Sequence, residues 1–180
     1  MPGLGVSVAV FEGARVLLTR REDMPVWCLP SGGVEDGESV AEAATRETLE
    51  ETGIQVKLVS LVGVYSRPNW WNGGTHGILF RAVPLAGDIV TTTNETVDAR
   101  YFAVNELPDD LLWWHAQRIE DAYAGRSGVV MVQDSRPVVD GGRQALARAI
   151  AVGDVSKEEF LSATAGRPPA GQQRVELEGV

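Results

Sequence analysis

Three glutamates, Glu47, Glu50 and Glu51, lie three and four residues apart in a segment that is predicted to form a short helix. Side chains at positions i, i+3 and i+4 are neighbours on a helix, so this spacing places three carboxylates on one face. Like charges at this spacing destabilise a helix unless solvent or a cation compensates them. Carboxylate oxygens are ligands that Mg²⁺ prefers. The face therefore has the chemistry of a divalent-metal site, and the alternative is a solvated acidic surface.

The residues before this face predict how it is positioned. Ser39 and Glu42 have the spacing of a capping box, and Gly53 provides a stop, so a helix is expected from Val40 to Thr52. Gly32 and its neighbour Gly33 precede the helix, and a backbone without Cβ atoms can approach a ligand closely. Arg46 lies within helical reach of Glu42 and Glu50, where its guanidinium can orient a carboxylate.

The complete spacing is Gly32, five residues, Glu38, seven residues, and then Arg46-Glu47-Thr48-Leu49-Glu50-Glu51-Thr52-Gly53-Ile54. This segment resembles the Nudix box, Gly-x5-Glu-x7-Arg-Glu-U-x-Glu-Glu-x-Gly-U, in which U is a bulky aliphatic residue. Thr48 departs from the pattern at the first U position, which concerns helix packing more than metal binding. The segments 27–33 and 95–108 are also similar to the family's sequences before and after the box.

The resemblance implies a fold and an activity. The expected fold is a Nudix-type α/β/α sandwich, an α/β architecture with a mixed β-sheet between helices. The expected activity is metal-dependent pyrophosphohydrolysis, in which water attacks a diphosphate bond. The metal ligands would be Glu47, Glu50 and Glu51, with the Gly32 carbonyl as a further ligand; Mg²⁺ is expected, and Mn²⁺ is an alternative. Glu50 is the candidate general base, and Glu47 or Glu95 could serve instead.

Several residues outside the acidic face are candidates for roles at the site, each with a plainer alternative. Glu95 could deliver a carboxylate from a loop, or be a loop charge. Trp70 and Trp71 could stack on a nucleobase, or anchor their loop or a dimer contact. Arg67 could contact a distal phosphate, and His76 could reach a phosphate, whereas surface or packing roles are the alternatives.

Glu38 has two interpretations as well. It could act directly in catalysis, or it could be a charge that the helix dipole favours near the helix start.

The expected substrate is a small nucleoside diphosphate derivative, such as a sugar nucleotide. A nucleoside triphosphate or a dinucleoside polyphosphate is the alternative, because these classes share the whole box. A different class of function, a non-catalytic Nudix-fold module that senses a nucleotide, stays open, as does a structural protein with an acidic helix face. Such modules can lose box carboxylates, whereas all three are present here.

Composition limits the partners. The 180 residues carry a formal net charge of −9, which repels polyphosphate backbones, so extended nucleic acid is not expected as a partner. No apolar run is long enough to span a membrane, and the start of the chain lacks the pattern of a secretory signal, so a cytoplasmic location is expected. Cys28 is the only cysteine, and its apolar neighbours favour a core position over a nucleophile.

Alternating and β-branched segments predict a hairpin at residues 6–11 and 15–19, and further strands near 55–66, 76–83 and 99–104. A second helix is expected to begin near Pro108-Asp109, followed by an edge strand at 128–132 and a helix at 143–152. The predicted domain spans 1–153, with a core at 4–125 and an extension at 126–153. Residues 154–180 are expected to form a short helix and a flexible tail. The apolar second helix with Trp113-Trp114 favours a homodimer.

Overall fold

A mixed β-sheet runs through the molecule, and helices pack on both of its faces. The computed structural model describes residues 3–24, 26–93, 95–166, 168 and 170–180. The strands are β1 (Gly3–Glu12), β2 (Arg15–Arg21), β3 (Trp27–Cys28), β4 (Ser31–Gly33), β5 (Gln55–Arg67), β6 (Thr75–Ala86), β7 (Thr96–Ala103), β8 (Val129–Gln133) and β9 (Gln173–Leu177). The helices are α1 (Val40–Thr52), α2 (Trp113–Tyr123), α3 (Arg143–Val152) and α4 (Lys157–Thr164).

The order of strands in the sheet is β3-β2-β1-β6-β5-β8-β9, while β4 pairs with β1 and β7 pairs with β2. The pairs β1–β6 and β5–β8 are parallel, and the others are antiparallel. The predicted hairpin is confirmed, because β1 and β2 pair at Phe11 with Val16 and at Glu12 with Arg15. The strand alternation therefore buries a different set of side chains on each face of a mixed sheet.

Two hydrophobic clusters show how the helices cover the sheet. Ala43 and Ala44 of α1 pack with Val8 in one cluster. Ile119 and Ala122 of α2 pack in a second cluster, which includes Ala9 and Leu79 of the strands. Because Val8 and Ala9 are consecutive residues of a strand, their side chains point to opposite faces. The α/β/α sandwich with a mixed sheet that the sequence predicts is confirmed.

Helix α1 begins and ends at the predicted residues. The Ser39 side chain accepts a hydrogen bond from the Glu42 amide, and the Glu42 carboxylate accepts one from the Ser39 amide, which completes the capping box. Gly53 adopts φ 75°, a left-handed conformation, and its amide donates to the Leu49 carbonyl. These caps fix the rotation of the helix, and hence the direction in which its glutamates point.

The second helix starts later than expected, at Trp113 rather than near Pro108-Asp109. The preceding backbone pairs with β3 instead, because the Trp27 amide donates to the Asp110 carbonyl and the Leu112 amide donates to the Trp27 carbonyl. These hydrogen bonds hold residues 110–112 out of a helical conformation. Helical spacing predicts one apolar stripe along this helix, formed by Leu112, Ala116, Ile119 and Tyr123, and it is only partly buried, since Tyr123 is exposed.

Two expectations about the end of the chain are wrong. Strand β8 was expected at an edge, but it lies between β5 and β9. Residues 173–177 were expected in a flexible tail, but they form β9, whose backbone pairs with β8. Composition did not indicate this strand, because its side chains are mostly exposed and its stabilisation comes from backbone hydrogen bonds. Arg167 and Pro169, also in the predicted tail, lie outside the described residues.

Helix α3 matches its prediction at residues 143–152, and helix α4 is the short helix expected after it. Both contribute to a third hydrophobic cluster, in which Leu146 and Phe160 are buried with Trp113 and Trp114. Trp113 and Trp114 are 1% and 3% exposed, so they are core residues and do not supply the dimer surface for which they were considered. Cys28 is buried in the same cluster, in agreement with its predicted core position.

Among the helices of the described residues, none has the length and apolar character needed to cross a membrane.

The Gly53 stop can be tested against a second left-handed glycine. A Cβ at Gly53 would lie 2.6 Å from the Asp88 carbonyl oxygen, whereas a Cβ at Gly13, with φ 60°, would meet nothing within 4 Å. We expect Gly13→Ala to lower the free energy of unfolding by about 1–2 kcal/mol through the left-handed backbone alone. Gly53→Ala should lower it by about 1–3 kcal/mol more, because of the steric overlap. Urea denaturation measures both values, and equal losses would contradict the packing at Gly53.

Candidate active site

The carboxylate of Glu51 is buried beside Ser31, the first residue of β4. Its side chain is 4% exposed, and its Oε2 accepts a hydrogen bond of 3.0 Å from the Ser31 amide. The Thr19 hydroxyl lies 3.5 Å from the same oxygen. Burial raises the pKa of Glu51 to about 8, and the Ser31 hydrogen bond opposes the increase. A buried carboxylate of this kind is stabilised in its charged form when a cation binds beside it.

Glu47 lies directly against the glycine backbone of β4. Its side chain is 14% exposed, and burial raises its pKa while Arg46 opposes that change. A Cβ on Gly32 would overlap the Glu47 carboxylate, at a separation shorter than any van der Waals contact. Gly32 is therefore required for the close approach of the strand to this carboxylate, as the sequence suggested.

Arg46 holds the carboxylates of the acidic face together. Its guanidinium donates to Glu38 at 2.8 Å, to Glu47 at 2.9 Å and to Glu50 at 3.1 Å. It also donates to the Gly33 carbonyl at 3.1 Å, which ties the helix to β4. Its expected contact with Glu42 does not form, because the Glu42 carboxylate accepts from the Ser39 amide instead.

Glu38 therefore contacts Arg46 through both of its carboxylate oxygens, at 2.8 and 2.9 Å. The Arg46 hydrogen bond lowers the pKa of Glu38, so this carboxylate stays charged. The contact favours a positioning role for Glu38, which holds the arginine that in turn orients Glu47 and Glu50. Neither the dipole interpretation nor a direct catalytic role describes that contact.

The departure of Thr48 from the family pattern has a local explanation. Thr48 is fully buried, and its hydroxyl donates to the Ala44 carbonyl at 2.8 Å. The hydrogen bond to the preceding turn satisfies the hydroxyl inside the helix, so a polar residue can occupy a buried position.

A cavity of about 470 Å³ opens above these groups. Its wall includes Gly32, then Glu47, Glu50 and Glu51 of α1 and, from the loop after β6, Glu95. The negative charge of Glu95 is among the causes that raise the pKa values of both Glu47 and Glu51. The structure thus brings Glu95 to the same cavity as the carboxylates of the acidic face, although it is distant from them in sequence.

The donor set fits a hard divalent cation. Two carboxylates with raised pKa values, Glu47 and Glu51, lie beside a glycine backbone, and Glu50 is 60% exposed at the cavity edge. In the part of the chain that the structure describes, no three acidic, histidine or cysteine side chains form a ready-made cage. Arg46 engages Glu47 and Glu50 instead, so its positive charge compensates the acidic face.

Of the predicted substrate-binding residues, Arg67, Trp70 and Trp71 lie together, whereas His76 lies apart from them. The Arg67 guanidinium packs against the rings of Trp70 and Trp114, with its central carbon 4.7 and 4.8 Å from their centroids. The Trp71 indole donates to the Val139 carbonyl at 2.6 Å. These contacts support the anchoring role that was the alternative to base stacking, while both rings are half-buried and line a further cavity of about 460 Å³.

His76 is not brought to the carboxylates. Its side chain is exposed on β6, its Nδ1 is 2.9 Å from the Ser66 hydroxyl, and it lines none of the cavities described here. Conversely, sequence reasoning missed Arg143, which begins α3 and lines the carboxylate cavity. No local signal could have identified it, since its proximity to α1 results from the packing of the extension.

The fold is an α/β/α sandwich, and one of its cavities is lined by carboxylates. Carboxylates are typical ligands of divalent cations. The family model of the Nudix domain matches residues 1–122. A Bacillus subtilis protein described as a candidate 8-oxo-dGTP diphosphatase is 35% identical over 129 residues, 71% of this chain and 85% of its own length. An ADP-ribose pyrophosphatase of Methanocaldococcus jannaschii is 34% identical over 131 residues, which cover 71% of this chain and 76% of that protein.

Solved structures agree with these relatives. The crystal structure of an ADP-ribose pyrophosphatase from Streptococcus suis matches with a TM-score of 0.60 and 25% identity, and covers 71% of this chain and 94% of that one. The chain belongs to the Nudix family.

Gly32 and Gly33 form a matched pair for testing the strand's approach to the helix. A Cβ at Gly32 would overlap the Glu47 carboxylate, whereas a Cβ at Gly33 would meet nothing within 4 Å. We expect Gly32→Ala to displace Glu47 and to weaken Mn²⁺ affinity by about 10–100-fold, the range typical of lost ligand positioning. Gly33→Ala should bind Mn²⁺ like wild type. Isothermal titration calorimetry measures both affinities, and unchanged affinity in Gly32→Ala would contradict the assignment of this cavity.

Proposed function

We propose that this protein hydrolyses the diphosphate bond of a small nucleoside diphosphate derivative, with the aid of a divalent cation. The observation that carries the proposal is the pair Glu47 and Glu51, two carboxylates held against the glycine backbone of β4 in one cavity. A cavity of about 470 Å³ falls within the range of roughly 300–1,000 Å³ that small ligands occupy.

Glu47, Glu50 and Glu51 would hold the cation, and the Gly32 carbonyl is the proposed further ligand. Mg²⁺ is the expected ion because all these donors are oxygens, and Mn²⁺ shares that preference. When bound, the cation polarises phosphoryl oxygens and lowers the pKa of a bound water. Its charge also stabilises the ionised form of Glu51, whose pKa burial otherwise raises.

The chain's own residues would prepare the water for attack. Glu50 is the proposed general base, since its exposed carboxylate can accept a proton and release it to solvent. Arg46, which donates to Glu50 at 3.1 Å, fixes its position. Glu95 faces the same cavity from its loop, and it is the alternative base together with Glu47.

The substrate class rests on charge and on the relatives. Two of the similar proteins are named ADP-ribose pyrophosphatases, which act on a nucleoside diphosphate linked to a sugar. The net charge of −9 opposes extended nucleic acid. Nucleoside triphosphates and dinucleoside polyphosphates are the competing substrates, and a nucleotide sensor without turnover is the competing class of function. We also propose a cytoplasmic location and a homodimer, whose interface does not involve the buried Trp113 and Trp114. Light scattering tests the homodimer.

Glu51→Gln separates catalysis from folding. The amide oxygen of glutamine can still accept from the Ser31 amide, but the charge that a cation needs is lost. We expect kcat/KM with Mg²⁺ and ADP-ribose to fall by about 10²–10⁴-fold, comparable to the loss of a catalytic proton-transfer group. The control is Glu42→Gln on the same helix, which keeps the capping box and should keep wild-type activity.

The thermal stability of Glu51→Gln provides a second measurement. It is expected to rise, whereas the activity of the same variant is expected to fall. Because the pKa of Glu51 is raised to about 8, the metal-free folded state keeps a proton that the unfolded state releases, and stability falls as pH rises from about 4.5 to about 8. Glu51→Gln should remove this decline, and thermal unfolding in EDTA at pH 8 should show a higher Tm than wild type. A lower Tm would mean that the lost activity reflects unfolding. Tight nucleotide binding without turnover in wild type would establish the sensor instead.

A further inference from the structure

A second cavity, of about 220 Å³, adjoins the carboxylate cavity. The two share Ser31, Gly32, Gly33 and Arg143 in their walls. One ligand can therefore extend from the acidic face into the second cavity past the glycine strand. We call this second cavity the arginine cavity, because Arg67, Arg118 and Arg143 line it.

Arg118 is the innermost of the three. It is 3% exposed, and its guanidinium donates to the Ser7 hydroxyl at 3.2 Å and to the Gln133 side-chain oxygen at 3.0 Å. Both acceptors are neutral. Among the described residues, no carboxylate forms an ion pair with Arg118, and burial lowers its pKa to about 10. A buried guanidinium without an anion is unfavourable, so a bound anion would stabilise it.

Arg67 adds a second charge with an unused donor. Its Nε is buried and has no hydrogen-bond partner within the described part of the chain. Burial lowers the pKa of Arg67, and repulsion from Arg118 lowers it further. The Trp70 and Trp114 rings, whose centroids are 5.2 Å apart, both pack against its guanidinium and hold it in place.

The pKa of His115 is affected by its burial and by the positive charges of Arg118 and Arg67. Its Nδ1 accepts a hydrogen bond from the Leu29 amide at 3.3 Å. Burial lowers the pKa of His115 well below its usual value, and Arg118 and Arg67 lower it further. The histidine is thus neutral, and it adds no positive charge to the arginine cavity.

Several of the residues that line the arginine cavity are glycines of β1 and β6. Gly5 of β1 pairs directly with Gly77 of β6, and Gly3 pairs with Thr75 next to them. A Cβ on Gly77 would lie 3.3 Å from Nη1 of Arg118, so even alanine would crowd the guanidinium. Gly77 therefore allows the Arg118 guanidinium to lie directly against the backbone of β6, at the wall of the cavity.

Arg143 closes the cavity from the extension. It lies at the start of α3, its side chain is 52% exposed, and its Nε is 3.6 Å from the Asp23 carboxylate. That distance indicates a loose ion pair, from which the guanidinium can turn to a ligand. Planar guanidinium groups bind phosphate and carboxylate through paired hydrogen bonds.

We propose that the substrate carries, besides its diphosphate, a separate phosphate or carboxylate group that binds in the arginine cavity. The proposal rests on the proposed function, because it names the class of derivative that the same site cleaves. The cation and the acidic face take the diphosphate, and Arg118, Arg67 and Arg143 take the second anion. Neutral derivatives leave the buried guanidiniums uncompensated, so they are poorer substrates.

Matched substrate pairs test this preference. NADP⁺ differs from NAD⁺ by one phosphate, and UDP-glucuronic acid differs from UDP-glucose by one carboxylate. We expect kcat/KM to be about 10–100-fold higher for the anionic member of at least one pair, the range expected for charge-assisted hydrogen bonds. The pair that shows the preference identifies which of the two anions is recognised.

The control for Arg143 lies on the same helix. Arg143→Ala should remove most of the preference, whereas Arg148→Ala, an exposed arginine outside the cavities, should retain it.

A second measurement does not depend on turnover. Inorganic phosphate in EDTA should raise the Tm of wild type and of Arg148→Ala, because without a cation the acidic face repels phosphate and only the arginine cavity attracts it. Arg143→Ala should show a smaller increase in Tm, and Arg118→Met should show none. Circular dichroism verifies that Arg118→Met is folded; if it is not, the comparison of Arg143→Ala with Arg148→Ala decides.

The two proposals fail in different ways. Equal kcat/KM values within both pairs, together with no effect of phosphate on Tm, would overturn the arginine cavity as an anion site and leave the hydrolase intact. Absence of hydrolysis for all four compounds and for ADP-ribose with Mg²⁺, combined with stabilisation by phosphate, would overturn the hydrolase and support an anion site in a nucleotide sensor.

Discussion

The contact between the glycine backbone of β4 and the carboxylates of α1 is the constraint on which the site depends. The Ser31 amide donates to Glu51, and the missing side chain of Gly32 admits Glu47. Desolvation of these two carboxylates is unfavourable, and the fold compensates only part of it, through the Ser31 amide and the Arg46 guanidinium. The remaining negative charge is what makes the cavity attractive to a cation. Stability is thus lower where the chemistry is expected to occur.

Arg46 connects this constraint to the rest of the acidic face. One guanidinium contacts three carboxylates and a carbonyl of β4, so the separation of helix and strand is set by geometry as well as by charge. Glu38, which the sequence left between two roles, contributes by holding that guanidinium with both oxygens. The spacing from Gly32 to Arg46 is therefore the length of chain that leaves β4, enters α1 and returns a side chain to the Gly33 carbonyl.

The extension after α2 completes a second, oppositely charged region. Leu146 and Phe160 pack against Trp113 and Trp114, and this packing brings Arg143 to the edge of both cavities. The Trp70 and Trp114 rings in turn hold Arg67. Acidic and basic walls thus meet along the glycine strand, an arrangement suited to a ligand with a metal-bound diphosphate at one end and a bare anion at the other.

The sequence by itself determined the local parts of this protein. The capping box and Gly53 defined α1 to the residue, and the i, i+3, i+4 spacing placed the glutamates on one face, because helical geometry is fixed by neighbours in the chain. Alternation likewise predicted the hairpin, whereas the sandwich fold was implied by the resemblance to the Nudix family. Only the tertiary structure decided that Glu95 and Arg143 reach the same cavity, that His76 does not, and that β9 joins the sheet. Those outcomes depend on packing between segments far apart in sequence, for which no local periodicity carries a signal.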